Sequence, residues 1–193
     1  MEGAEVEMIL AFDESRDGSP TPEASVVQIA GILTNGNPDV LRDFKVLARD
    51  RAAFAAQHAE WYGEMFEEDE EDEAYILQRV TAFWLVGHDT PYKFGGYVDW
   101  KEATEEIVAH LREAIQNLGY PLDVDAIPFT GEEFTDEALV AIDAHFREKG
   151  YTLVSLDTGG DCYHLFVVPL EKFPRLVELG EGCGMHFFNT FTD

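Results

Sequence analysis

Asp157-Thr158-Gly159 stands between two apolar runs, in the stretch "LVSLDTGGDCYHLFVV" from Leu153 to Val168. An aspartic protease presents its catalytic carboxylate in such a triplet, but its chemistry needs two carboxylates close enough to share one proton. This chain carries the triplet once, so that activity would require a homodimer. The chain beyond Gly159 reads as a strand, a helix and a glycine-rich loop, which lacks the flap and the extra strand layer of a protease lobe.

A tight turn explains the same residues. Gly159-Gly160 can supply the positive φ angles of a two-residue hairpin loop, and the flanking runs have strand composition. Pairing across that turn sets Asp157 opposite Cys162, Leu156 opposite Tyr163, Ser155 opposite His164 and Leu153 opposite Phe166. Ser155, His164 and Asp157 then share one face, an outline of nucleophile, base and orienting carboxylate. Opposed strand side chains run parallel and no oxyanion hole is evident nearby, so a hydrogen-bonded structural pair is the plainer expectation, and no residue is assigned as catalytic. Asp157, Asp161, Tyr163 and His164 are the candidate binding residues at the hairpin.

Cys162-x-His164 and Cys183-x-x-His186 hold enough sulfur and nitrogen for a tetrahedral zinc site. The first spacing is shorter than a zinc knuckle, and Gly182 and Gly184 suit a turn equally well. Cys162, His164, Cys183 and His186 therefore remain weak metal candidates, with buried free thiols as the default. His58, His88, His110 and His145 are isolated. Trp61, Tyr62 and Phe66 form an aromatic group that belongs to helix packing, or to a protein-binding patch if exposed. Gly95-Gly96 lacks the strand-loop-helix setting of a phosphate cradle, so no cofactor is expected.

These residues need elements to hold them. Val6 to Phe12 and Ala24 to Leu33 are apolar runs read as helices, with Pro22 in the first turn of the second. Val40, Leu41, Phe44 and Leu47 repeat at helical spacing, and the Ala-rich Arg51 to Phe66 continues as helix. The run "EEDEEDE", Glu67 to Glu73, repels itself and reads as an exposed linker before a helix on which Ile76, Leu77, Val80, Phe83 and Trp84 share a face. Tyr92 to Val98 reads as a strand, with Asp99 and Glu102 opening the next helix, which stops at Gly119. Thr135 is placed as the cap of a helix that Phe134 staples onto Leu139 and that ends at Gly150. A helix from about Leu170 to Leu179 and a last strand within Met185 to Phe191 complete the order. The fold class is α+β: a helical part, 1–66, an acidic linker, 67–73, and a part, 74–193, with a small, mostly antiparallel sheet and helices on one face. Its strand and helix order suggests a ferredoxin-like arrangement within one domain, 1–193.

The chain has 193 residues and a formal net charge of -26, from 39 acidic residues against 13 Lys and Arg. Such a field repels phosphate backbones and anionic membranes and attracts basic proteins. No nucleic-acid or membrane partner is expected. The start, Met1-Glu2-Gly3-Ala4-Glu5, lacks the basic residues of a secretory signal, and with two cysteines no disulfide framework organises the chain. A bacterial-type cytoplasm is the expected location.

Two segments, "GYVDWKEATEEIVAHL" and "GYTLVSLDTGGDCYHLFVVP", resemble a group of small acidic bacterial proteins of unknown function. In that group the hairpin resembles an aspartate, a small-residue turn, a second aspartate and a tyrosine, matching Asp157, Asp161 and Tyr163. The resemblance implies a helical N-terminal part and an α+β C-terminal part, and it brings no known activity. The leading expectation is a non-catalytic, immunity- or inhibitor-like protein that binds a basic partner. The rivals are a hydrolase, with or without a metal, built on Asp157, Asp161 and His164, and a housekeeping protein whose acidity reflects a saline habitat.

Overall fold

A computed structural model describes residues 21–66 and 72–191. The helix expected over Val6 to Phe12 and most of the acidic run lie outside them. Helix α1 (Pro22–Leu33) is mostly apolar and largely buried beyond its first turn, with Val26, Ile29, Ala30 and Leu33 fully inaccessible. Thr21 decides helix over strand here: its hydroxyl accepts the N–H of Ala24 at 3.3 Å, and Pro22 occupies the first position. Helix α2 (Pro38–Arg49) starts the same way, with Asn37 Oδ1 accepting from Asp39 and Val40 at 3.1 Å each. The Ala-rich stretch forms two short helices, α3 (Arg51–Gln57) and α4 (Ala59–Met65), broken at His58. The structure begins again at Asp72, whose carboxylate caps α5 (Glu73–Arg79) by accepting from Tyr75 at 3.0 Å. The end of the acidic run thus has a structural use, with negative charge where unpaired helix N–H groups favour it.

Helix α5 does not continue regularly. Residues Val80–Trp84 wind as a π-helix, and the wider turn sends Phe83 and Trp84 to different neighbours instead of one shared face.

The sheet has four strands: β1 (Gly95–Asp99), β2 (Tyr151–Asp157), β3 (Cys162–Pro169) and β4 (His186–Phe188). They pair antiparallel in the order β1-β3-β2-β4. Helix α6 (Thr104–Leu118) joins β1 to α7 (Thr135–Arg147), and α8 (Phe173–Gly182) joins β3 to β4. The split βαβ unit expected from the element order is present, since β1 and β2 run parallel with β3 between them. The last strand adds beside β2, whereas a complete ferredoxin-like order would set it beside β1. The chain is therefore two interlocked split units rather than that order.

Helices cover both faces of the sheet rather than one. Five consecutive residues of β2, Thr152 to Leu156, are buried, and successive side chains point to opposite faces. On one face α6 lies so close to β1 that a Cβ on Gly96 would sit 2.7 Å from His110 Cβ. On the other face Phe83 packs on His164, and α8 reaches Phe187 through Gly180. The buried side chains form one contiguous cluster from Val26 to Phe191.

Two expected helix starts shift. Asp99 closes a turn by accepting the N–H of Lys101 at 2.9 Å, and α6 begins only at Thr104. Thr135 is the first helical residue of α7, its hydroxyl donating to Glu102 O at 3.2 Å, and Phe134 is 75% exposed, so it staples nothing. Glu137 satisfies the Phe134 N–H at 3.0 Å in their place. Helix α6 does stop at Gly119, with φ 68°.

Where β4 ends, the free edge of β2 is closed by Asp143 of α7. Its carboxylate accepts from Thr152 Oγ1 at 2.7 Å and Leu153 N at 2.9 Å and pairs with Arg147. Replacing Asp143 by Ala orphans the buried Leu153 N–H and leaves the Thr152 hydroxyl only its longer bonds to Leu153 O, Arg147 and Asn189, so urea denaturation of Asp143→Ala should show a loss of about 2 kcal/mol. Arg147→Ala, at a partly exposed position, should cost less than about 1 kcal/mol by the same measurement.

Candidate functional site

The hairpin mouth is shaped by Asp157. Its Oδ1 accepts the N–H of Gly159 at 2.8 Å, an aspartate turn that leaves only Gly159 at positive φ, 75°. A two-residue loop of the expected kind needs positive φ at both central residues, so the connection is wider and the register moves by one. Leu156 pairs with His164, Ser155 with Leu165 and Leu153 with Val167.

A shift of one residue reverses faces. His164 shares its face with Leu156 and Tyr97, while Ser155 and Asp157 lie on the opposite face. The nucleophile, base and carboxylate outlined by the sequence therefore do not meet. Asp157 and Asp161 are exposed at the mouth, where the Asp157 carbonyl accepts from Gln78 at 2.6 Å and the Asp161 carbonyl from the Trp100 N–H at 3.3 Å. Tyr163 is half-buried on the face of Asp157 and packs at 6.1 Å on Phe191.

His164 has no exposed surface. Its ring sits 4.5 Å from Phe83 and 5.5 Å from Tyr97, Nδ1 lies 3.4 Å from the Thr158 hydroxyl, and Nε2 has no partner. Burial pushes its pKa down to about 4, and the charges of Arg79 and His88 push the same way. A neutral, sealed imidazole cannot reach a substrate beside Asp157 and Asp161, which counts against the hydrolase arrangement.

The four weak metal candidates also separate. Cys162 and His164 share one face of β3, but His186 pairs with Asp157 and lies on the other. Cys183 is buried beyond α8, donating to Pro22 O at 3.4 Å, and burial pushes its thiol up to about 11. Among the described residues no three His, Cys, Asp or Glu side chains are grouped to hold a metal ion.

Two aromatic residues at the mouth were not among the candidates that the sequence supplied. Tyr97 is 43% exposed and Trp100 54% exposed, with Lys101 Nζ 4.0 Å above the Trp100 ring. Tyr97 also stacks at 6.5 Å on Phe83, which Arg79 covers at 4.8 Å. The alternation of β1 was the available signal: with Val98 inward, Tyr97 and Asp99 must face away from it. Trp100 lies past the strand end, where no period applies.

Fold and surface together define an α+β protein with an acidic, aromatic hairpin mouth. The chain belongs to the family described as a domain of unknown function, DUF6630, whose model matches residues 25–191. That span takes in every residue of the mouth. No curated protein and no solved structure matches the chain.

The buried histidine gives the fold an acid-sensitive point. Because its folded pKa lies below that of the unfolded chain, the unfolded state takes up the proton first as pH falls. Stability present above pH 6.5 should fall progressively toward about pH 4, by a few kcal/mol. His164→Leu should flatten that part of the stability–pH curve; an unchanged slope in denaturation at stepped pH would contradict it.

Proposed function

We propose that this protein is a non-catalytic binding module for a basic protein, immunity- or inhibitor-like, that works in the cytoplasm through its hairpin mouth. One observation carries the reading: Tyr97 and Trp100 are exposed at the strand end that also carries the exposed Asp99 and meets Asp161, on a chain of formal net charge -26. Exposed aromatics bordered by carboxylates, with Lys101 over one ring, suit an interface anchor and its rim. The contact of Lys101 on Trp100 marks that indole face as a surface that accepts cations.

The field would speed encounter with a basic protein, and the aromatic pair would hold it once docked. No helix among the described residues is long and apolar enough to cross a membrane.

The test is capture of host proteins on the full chain, followed by affinity measurement with the purified partner. A basic partner should bind, weaken as salt rises from about 50 to about 500 mM, and lose roughly tenfold or more in affinity to Trp100→Ala. Binding that ignores both salt and Trp100→Ala, or capture of no basic protein, would refute the reading.

A further inference from the structure

The two edges of the sheet are finished differently. On the β2 side, β4 pairs over three residues and Asp143 takes the next outward N–H, that of Leu153. On the other side β1 has β3 along one edge and α6 against one face, and among the described residues no strand pairs beyond it. The Trp100 N–H donates to Asp161 O at 3.3 Å, which sets the alternation of this ladder: Gly96 and Val98 turn their N–H and C=O groups to β3, and Tyr97 and Asp99 turn theirs outward. The Leu170 N–H, donating to Gly150 O at 2.9 Å, sets the complementary alternation on the far side of β3.

Most of the outward groups are unused. Asp99 O accepts the Glu102 N–H at 3.0 Å, but the Tyr97 N–H, the Tyr97 C=O and the Asp99 N–H have no partner among the described residues. Tyr97 is 43% exposed and Asp99 is exposed, so an incoming chain can reach this backbone from water. Soluble proteins commonly blunt an open edge with a proline, a bulge or a covering element. Strand β1 contains no proline and its register with β3 runs without a bulge, so the edge stays fit for pairing.

We propose that the edge of β1 from Tyr97 to Asp99 receives an extended basic segment of the partner as a fifth, antiparallel strand, an inference that rests on the protein-binding reading above. Main-chain hydrogen bonds hold such a strand, and the side chains that alternate along it give the choice of sequence. Charge selects the occupant. Asp99 is exposed on the strand, Glu105 and Glu106 are exposed in the first turn of α6, and a second copy of this chain would bring a net charge of -26 to the same edge. Tyr97 and Asp99 share a face, so residues two apart on the added strand meet them: an apolar side chain on the Tyr97 ring, which Phe83 backs at 6.5 Å, and a lysine or arginine on the Asp99 carboxylate.

The probe is the peptide acetyl-Lys-Thr-Val-Thr-Lys-amide, which in antiparallel pairing sets valine opposite Tyr97 and lysine opposite Asp99. Titrated into nitrogen-15 labelled full-length protein, it should move the Tyr97 and Asp99 amide signals saturably with a Kd of about 1–10 mM and slow their hydrogen exchange. Methylating the valine nitrogen keeps the charge and removes the donor to the Tyr97 C=O, so that analogue should bind about threefold weaker or worse. The analogue with glutamate in place of both lysines should leave the signals where they are. Signals that do not move, or that respond equally to the methylated or the glutamate peptide, would overturn the proposal. So would Tyr97 and Asp99 amides already slow to exchange in the free protein, sedimentation then giving the edge to a second copy in a dimer or to another segment of the chain in a monomer. The titration uses no partner, so its failure with capture intact removes only the added strand. Saturable peptide binding without any captured basic protein removes only the partner reading.

Discussion

Strand β3 pairs along both its edges, and the Leu156–His164 pairing with β2 determines where every chemically interesting side chain on the sheet can go. That register comes from a short-range contact, the Asp157 carboxylate on the Gly159 N–H. Using the carboxylate in the turn widens the loop, which turns His164 into the layer beneath Phe83 and leaves Asp157 outside on the opposite face. Ionic and aromatic chemistry are thereby separated: carboxylates collect in water at the mouth, and the imidazole is enclosed among rings.

Much of the fold was legible, and the misses have local causes. Helices α2, α6, α7 and α8 show in their periodicity and in Gly119 and Gly150, and α1 as an apolar run with Pro22 in its first turn, because caps and apolar stripes are encoded within one or two turns. The hairpin was legible as an element but not in register, because Asp157 competes with the glycines for control of the turn through a side-chain hydrogen bond. The break at His58 and the π-winding after Arg79 carry no strong sequence mark. Both depend on tertiary packing, His58 against Phe54 and Trp84, and Phe83 against the sheet. Of the candidate residues, Asp157 and Asp161 lie together at the surface, while Tyr97 was marked only by the alternation of β1 and Trp100, past the strand end, by no period at all.

The π-helical segment acts as a partition. Phe83 faces His164 and Tyr97, whereas Trp84, the next residue, faces His58 and Trp61. In a regular helix neighbouring residues sit about 100° apart around the axis; here each of the pair is committed to a separate aromatic cluster. The hairpin mouth and the aromatic cluster at His58 are thus built on two sides of one short segment. Arg79, above Phe83 and Tyr75, lies on the mouth side of that divide.

Helix α1 packs on α8, where Cys183 reaches Pro22 and Arg175 meets Gln28 across 147 residues of chain. An apolar helix is therefore covered in part by an element synthesised well after it. During translation α2 emerges next and covers one side of α1, while the side that packs on α8 stays uncovered until α8 emerges. The net charge of -26 acts during that interval as well, keeping nascent chains apart while their most adhesive helix awaits its cover.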